Sequence, residues 1–447
     1  MEKFKQLGIS EGILGAVKQA GFTEPSEIQD KTIPLVLAGK DVIGKSATGS
    51  GKTLAFGAGI IDNVRRGEGI QALVLTPTRE LAEQVAQNLA KFSRHKGLNI
   101  KEIYGGVAIG PQIRALRYAD IVVGTPGRIL DHLRGRTLFL GKARFLVLDE
   151  ADRMLDMGFI RDVESIIKAC PVQRQTLLFS ATISGEISRI ASRYMKSPMQ
   201  VSVQDQVDPS HLYQKYYDVS NEEKFSLLVH LLKLEKKGVV MVFCNTRGNV
   251  EKLSNNLNRQ GLHSLAIHGG LSQNRRSDTL KAFHSRETLI LVCTDVAARG
   301  LDIKGVSHIY NFDIPSTPDD YIHRIGRTAR AGKNGIAISF VSEGDHGEFR
   351  QICKEKKVKI EKEKMPDIKV IPLTFSSNAD RKKARQGNRG RGGWRRDKKS
   401  GTEERGRRGF NRGRSFGGRS EGGRRESRDD RRGGERGRFR PRFQRRR

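Results

Sequence analysis

Eight residues constrain this chain more than any others: Ser46-Ala47-Thr48-Gly49-Ser50-Gly51-Lys52-Thr53. They follow the apolar pair Val42-Ile43 and precede a helix-favouring stretch that begins near Leu54. A Gly-rich turn between a strand and a helix exposes backbone N–H groups that cradle phosphate oxygens. The Lys adds positive charge at the outer phosphates, and the hydroxyl of Thr53 is placed to meet Mg²⁺. The strict phosphate-loop pattern opens on Gly, whereas Ser46 stands first here. A small residue still lets the backbone approach a nucleotide.

A second acidic signal lies about a hundred residues downstream. Asp149-Glu150-Ala151-Asp152 follows Phe145-Leu146-Val147-Leu148, a continuous apolar run of the kind buried on both faces of a parallel sheet. Carboxylates at the end of such a strand suit two tasks beside a phosphate loop. Asp149 holds Mg²⁺ through its water shell, and Glu150 polarises the water that attacks a γ-phosphate.

The rest of the chain alternates short apolar runs with helical stretches. One series contains 72–75, 121–123, 145–148 and 176–179; a second contains 239–243, 289–292, 308–312 and 336–341. Two such series predict two α/β domains built on parallel sheets. The polar segment 204–212 reads as the linker, giving domains over 1–203 and 213–375. No internal repeat is visible between the halves. From 376 to 447 the apolar periodicity vanishes. Residues 381–447 carry 28 Lys and Arg against 8 Asp and Glu, which leaves +12 of the chain's net +32 for the rest. Dense like charge with few apolar residues cannot bury a core, so a disordered tail is expected. Its Arg-Gly steps, interleaved with Trp394, Phe410, Phe416, Phe439 and Phe443, combine phosphate contact with stacking and predict non-specific RNA binding, including structured RNA or other ribonucleoprotein.

The motifs occur in a recognisable order. Gly21-Phe22-Thr23-Glu24-Pro25-Ser26-Glu27-Ile28-Gln29, with Phe4 upstream, comes first. Pro77-Thr78-Arg79-Glu80-Leu81-Ala82, Gly105-Gly106, Thr125-Pro126-Gly127-Arg128 and Ser180-Ala181-Thr182 follow around the loop and the acidic tetrad. The second half carries Val242-Phe243-Cys244-Asn245-Thr246, Gln273 with Arg276, Thr294-Asp295 through Asp302, and His323 to Arg330. Over about three quarters of its length the chain resembles the DEAD-box RNA helicase family. The resemblance implies tandem RecA-like domains, with ATP and Mg²⁺ bound at the first. It implies that Phe22 stacks on adenine, that Gln29 reads its N6/N7 edge, and that Asp302 reaches the ribose; Gln is the side chain that pairs bidentately with that edge. It further implies that Asp152, Ser180 and Thr182 couple the nucleotide to domain closure. Arg327 and Arg330 become arginine fingers; three apart, they are expected on one face of a helix. Ala329 stands where the family usually has Gly.

The same resemblance assigns RNA contacts to Pro77, Thr78, Arg79, Gly105, Gly106, Thr125, Pro126, Gly127, Arg128, Thr246, Gln273, Arg276 and Thr294. Several are expected at helix N-termini, where backbone N–H groups grip phosphates without reading bases, so binding is expected to be largely independent of sequence. Preference for RNA over DNA rests on the resemblance, since no short motif carries 2′-OH recognition. The implied activity is ATP hydrolysis coupled to local unwinding of short duplexes or remodelling of ribonucleoprotein. The competing reading is an ATP-gated clamp or annealing chaperone with little unwinding. The spacing of Cys170, Cys244, Cys293 and Cys353 suits neither a zinc site nor a disulfide framework. Reduced thiols, no secretory leader and no long apolar run predict a cytoplasmic protein without a membrane span, with a monomeric core.

Overall fold

The computed structural model describes residues 1–46, 49–203, 212–234, 238–298, 303, 305–329, 334–356 and 360–374. The first half is built on seven parallel strands: β1 (Val42–Lys45), β2 (Ala72–Leu75), β3 (Ile100–Ile103), β4 (Ile121–Gly124), β5 (Phe145–Leu148), β6 (Gln175–Ser180) and β7 (Met199–Ser202). The second half has β8 (Leu212–Asp218), β9 (Val239–Phe243), β10 (Ser264–Ile267), β11 (Ile290–Cys293), β12 (Val306–Asn311), β13 (Gly335–Val341) and β14 (Glu361–Glu363). The strand orders are β3-β4-β2-β5-β6-β1-β7 and β10-β11-β9-β12-β13-β8-β14. Renumbered within each half, the two orders are identical. The halves therefore share one topology although they share no visible sequence repeat. Leu212, expected at the end of the linker, opens β8 and is buried. Residues 204–211 and the whole tail from 375 lie outside the described residues.

The apolar runs form strands because helices cover both sheet faces. Side chains alternate across a strand, so each run feeds two cores. Ala72, Val74, Phe145 and Val147 face one cluster, while Leu73, Leu75, Leu146 and Leu148 face the other. Met241 and Phe243 on one side of β9, with Val240 and Val242 on the other, repeat the pattern in the second half. Full burial of each such side chain contributes roughly 1.5–3 kcal/mol. Phe4, the aromatic upstream of the Gly21–Gln29 motif, is completely buried in the first core. The four cysteines are free thiols. Among the described residues no helix is long and apolar enough to cross a membrane.

Buried polar side chains tie strand ends together. Before β1, Asp41 accepts hydrogen bonds from the backbone N–H of Thr176 at 2.8 Å and of Lys196 at 2.7 Å. Before β4, Asp120 accepts from Gly67 and Asn99, both at 2.7 Å. In the second half Arg324 has this role. Its guanidinium donates to both carboxylate oxygens of Asp295 at 2.6 and 2.7 Å, to Asn245 Oδ1 at 2.8 Å and to the Asp313 carbonyl at 2.6 Å. It also lies over the Phe243 ring, 5.2 Å from the centroid. One side chain thus joins the ends of β9, β11 and β12.

Removing one partner of a buried ion pair costs about 3–5 kcal/mol, because the other charge is stranded. Arg324→Ala is therefore expected to destabilise the protein by about that amount in chemical denaturation. Arg324→Lys should recover only part of the loss, since an ammonium cannot replace a bidentate fork. A loss below ~1 kcal/mol for the alanine variant would place it among ordinary exposed ion pairs.

Candidate functional site

In a parallel α/β sheet, ligands bind beyond the carboxyl ends of the strands. The first-half motifs from the phosphate loop onward lie at that edge. The phosphate loop leaves β1, Thr78 and Arg79 follow β2, Gly105-Gly106 follow β3, and Thr125-Pro126 follow β4. Asp149 follows β5, and Ala181-Thr182 follow β6. The turns after β1 to β6 thus bring together residues from Ser46 to Thr182.

Ser46 N–H donates to the Ser180 carbonyl at 3.0 Å, which fixes the start of the loop against β6. Ser50 Oγ donates to Ser46 Oγ at 3.1 Å. Gly49 and Gly51 have φ of 85° and 94°, which a Cβ would make costly. At Gly51 a Cβ would also stand 2.4 Å from Gln29 Nε2. Gly51 precedes the helix Lys52–Asn63. Lys52 is 6 % exposed; its Nζ donates to the Ser46 carbonyl at 3.4 Å and lies 3.8 Å from Asp149 Oδ1. Ala47 and Thr48 fall outside the described residues.

Gln29 sits directly behind this loop. Its Oε1 accepts from Ser26 N–H at 3.0 Å and its Nε2 donates to the Gly51 carbonyl at 3.1 Å. Ser26 Oγ donates to the Ser50 carbonyl at 2.7 Å. The side chain expected to read adenine therefore also braces the loop that would hold its phosphates. Phe22 is partly exposed and packs against Phe92, with ring centroids 6.4 Å apart. Its open face is accessible for stacking.

The acidic strand end is deeply buried. Asp149 is fully desolvated, and this pushes its carboxyl up to about 6; the Lys52 ammonium pulls it down and the Glu150 carboxylate pushes it up. Its Oδ1 is buried without a hydrogen-bond partner, an acceptor suited to a hydrated cation. Among the described residues no group of three or more His, Cys, Asp or Glu is arranged to hold a metal alone. Mg²⁺ commonly takes one or two carboxylates together with waters and phosphate oxygens, so one carboxylate beside a phosphate loop fits it. Glu150 has φ 52° and ψ 52°, a left-handed conformation rare for a side-chain-bearing residue and costing about 1–2 kcal/mol. Its Oε2 accepts from Arg153 Nη1 at 3.0 Å, both side chains being 3 % exposed. Arg153 lies three residues after Glu150, so the first turn of the helix Ala151–Asp156 brings the two together; the i,i+3 spacing was the signal that could have found it.

Asp152 joins this strand end to the next. Its Oδ2 accepts from the N–H groups of Ala181 at 3.0 Å and Thr182 at 2.8 Å, and from Thr182 Oγ1 at 3.2 Å. Ser180 bonds the backbone of Asp152 rather than its carboxylate. Its Oγ accepts from the Asp152 backbone N–H at 3.2 Å and donates to the Thr182 carbonyl at 2.7 Å.

Thr78 caps the helix Arg79–Phe92 by accepting from Leu81 N–H at 3.3 Å, and Leu81, Val85, Leu89 and Phe92 all face the core. Thr125 precedes the helix Pro126–Arg134. Arg128 donates to the Val107 carbonyl and to Gln112 Oε1, each at 3.2 Å, and so braces the loop that contains Gly105 and Gly106. In the second half Thr246 caps the helix Arg247–Arg259 through Asn249 N–H at 3.1 Å. Thr294 is buried at the end of β11.

The helical placement of Arg327 is corrected by the structure. The helix Pro318–Ile325 ends before Arg327. Thr328 then bridges to Val306, its Oγ1 donating to the Val306 carbonyl at 2.6 Å, and Ala329 turns with φ 54°. That left-handed turn accounts for the family's preference for Gly there. Arg327 is 3 % exposed. Arg330, Asp302 and the other residues of 299–302 lie outside the described residues.

The two halves touch through residues expected at the RNA. Arg79 Nη1 donates to Gln273 Oε1 at 3.2 Å, and Arg276 forms an ion pair with Glu80. Arg276 Nη2 also donates to the Ala297 carbonyl at 2.9 Å. A Cβ on Gly106 would collide with the Arg79 guanidinium, so the glycine clears its path.

The comparisons agree with this geometry. The DEAD/DEAH box helicase family model matches residues 26–190, and the helicase conserved C-terminal domain model matches residues 223–332. A DEAD-box ATP-dependent RNA helicase CshA of Bacillus cereus is 46% identical over 371 residues, covering 82% of this chain and 71% of that protein. Its counterpart in Geobacillus kaustophilus is 47% identical over 371 residues, 82% of this chain and 79% of that one. Among solved structures, S. cerevisiae Dbp5 bound to RNA and ADP BeF3 superposes with a TM-score of 0.74 at 31% identity, covering 80% of this chain and 95% of that chain. Mss116p bound to ssRNA and AMP-PNP gives 0.72 at 28%, covering 80% and 78%. The chain belongs to the family of DEAD-box ATP-dependent RNA helicases.

Proposed function

We propose that the chain hydrolyses ATP in an RNA-stimulated cycle and uses it to separate short RNA duplexes locally or to remodel ribonucleoprotein. The observation that carries this reading is the convergence, at one sheet edge, of Lys52, Asp149 and Glu150 with the Asp152–Thr182 contact and the Arg79–Gln273 and Glu80–Arg276 contacts between the halves. Lys52 and the loop N–H groups bind the phosphates. Asp149 and Thr53 hold Mg²⁺, which neutralises charge on the transferred phosphoryl group when bound. Glu150, oriented by Arg153, positions and deprotonates the attacking water. Arg327 and Arg330 add charge from the second half, so chemistry requires the halves to be together. Phe22, Gln29 and Asp302 select and place the nucleoside.

RNA engages the helix-terminal loops at Thr78, Thr125 and Thr246 through its sugar-phosphate backbone. Because Arg79 and Arg276 sit in this row and also join the halves, bound RNA and domain contact reinforce one another. The tail, with 28 basic and 8 acidic residues over 381–447, tethers RNA without sequence preference. Strand displacement measured beside strand annealing on one short RNA duplex tests the assignment. ATP-dependent displacement is expected; annealing alone would favour the clamp or chaperone reading.

Lys52→Ala removes the cation at the outer phosphates and should lower RNA-stimulated ATP turnover by about 10²-fold or more. Turnover near the unmodified rate would remove the loop from the mechanism. Breaking the ion pair between the halves should act differently. Arg276→Glu is expected to lower turnover at saturating ATP and to raise the RNA concentration needed for half-stimulation, with ATP affinity little changed. The double variant Glu80→Arg, Arg276→Glu should recover part of the loss, as a direct pair requires. No recovery would mean that the two residues act independently.

A further inference from the structure

The opposite edge of the first sheet carries a pattern that the ATP-gated site does not use. All seven strands are parallel, so the segments entering them lie along one ledge. At about 4.8 Å per strand the ledge is about 29 Å long. Every strand is preceded by a basic residue. In sheet order these include Arg94 before β3, Arg117 before β4, Arg66 before β2 and Arg136 before β5, followed by Arg174 before β6, Lys40 before β1 and Lys196 before β7. All but Arg174 are exposed. Of the acidic residues in these entering segments, Asp41 and Asp120 are buried and bound to backbone N–H groups, leaving Glu68 as the exposed one.

Large apolar side chains stand out from the same ledge. Tyr118 and Phe139 are each 73 % exposed and Val172 is 80 % exposed. They precede β4, β5 and β6, and only β2 intervenes between the first two strands. A cavity of about 420 Å³ opens between the same segments, lined by Lys142, Arg144, Pro171 and Gln173 and by the acidic Glu68. The segments are held in place. Asp120 bonds two of them, Arg144 donates to the Asn63 carbonyl at 2.6 Å and to Gln71 Oε1 at 2.9 Å, and Arg174 donates to the Pro171 carbonyl at 2.7 Å.

Basic residues at helix C-termini complement helix dipoles, and this accounts for part of the charge. It does not account for exposed aromatic rings placed among the charges. Rings to stack bases, with cations to meet phosphates, are the recurring composition of a single-strand RNA platform. We infer that this ledge is a second RNA surface. It holds single-stranded RNA flanking the segment engaged at the other edge, and it does so without ATP. Being at the entering ends of the strands, it does not move with the nucleotide loops. The inference rests on RNA being a ligand of the chain.

The test uses the full chain and a uniform single-stranded RNA carrying 4-thiouridine, crosslinked with and without a non-hydrolysable ATP analogue and mapped residue by residue. Crosslinks at Tyr118 and Phe139 are expected under both conditions. Crosslinks at Thr78 and Gly105 should depend on nucleotide; they report the proposed ATP-gated site separately. In a parallel measurement the triple variant Arg66→Gln, Arg117→Gln, Arg136→Gln should flatten the log–log salt dependence of RNA binding by ~2, at ~0.7 per lost phosphate contact. ATP turnover at saturating RNA should be unchanged. Crosslinks confined to the other edge and the tail, with an unaltered slope, would overturn the inference. So would a variant that is less stable yet binds RNA normally, because the charges would then serve the helix ends alone. Normal RNA binding with weakened retention of polyglutamate would reassign the ledge to an acidic polypeptide and equally overturn it.

Discussion

The Asp152 carboxylate takes three hydrogen bonds from the turn after β6, two from N–H groups and one from the Thr182 hydroxyl. These bonds make the acidic end of β5 and the turn after β6 one piece. The same β6 end receives Ser46 N–H and so fixes the phosphate loop. Three adjacent strand ends, from β1, β6 and β5, thus form a rigid frame around the nucleotide position. The rest of the site uses this frame. Lys52 and Asp149 face each other across it with almost no water, an arrangement whose desolvation cost makes it a poor source of stability. Under the proposed function, the Lys52 cation and the Asp149 oxygen that lacks a hydrogen bond would meet phosphate and metal. Beside them Glu150 has a left-handed backbone conformation and its carboxylate is paired with Arg153.

The second half repeats the strand order of the first without its phosphate loop. Arg324 occupies its strand-end edge and binds the ends of β9, β11 and β12 together. The second half therefore offers a rigid surface rather than a second nucleotide site. The two edges meet where Arg79 reaches Gln273 and Glu80 pairs with Arg276. Thr78 and Asp149, proposed to meet RNA and the metal, follow β2 and β5, which are neighbours in the sheet.

Much of this was legible in the sequence for a physical reason. Strands buried on both faces need continuous apolar runs, and 145–148 or 239–243 can hardly be anything else. The strands that escaped notice, β3, β7, β8, β10 and β14, lie at or beside sheet edges, where polar residues such as Lys101, Gln200 and Glu361 are tolerated. The shared topology was legible only through the family resemblance, which implied tandem RecA-like domains, because strand order depends on crossovers rather than on residue identity. At the site, loop and acidic residues announced themselves through spacing. Arg324 did not, because its partners Asn245, Asp295 and Asp313 are distant in sequence and only folding supplies them, whereas Arg153 was legible as an i,i+3 partner of Glu150. The placement of Arg327 on a helix failed for a local reason: the chain leaves the helix at Gly326 and reverses at Ala329.

We propose that Asp152 transmits the state of the nucleotide through Ser180 and Thr182. ATP turnover and duplex displacement measured in one preparation of the Ser180→Ala, Thr182→Ala variant test it most directly. The account predicts that RNA-stimulated hydrolysis persists while displacement per ATP hydrolysed falls sharply. Unchanged displacement per ATP would contradict the claim and leave the Asp152 contacts as scaffolding alone.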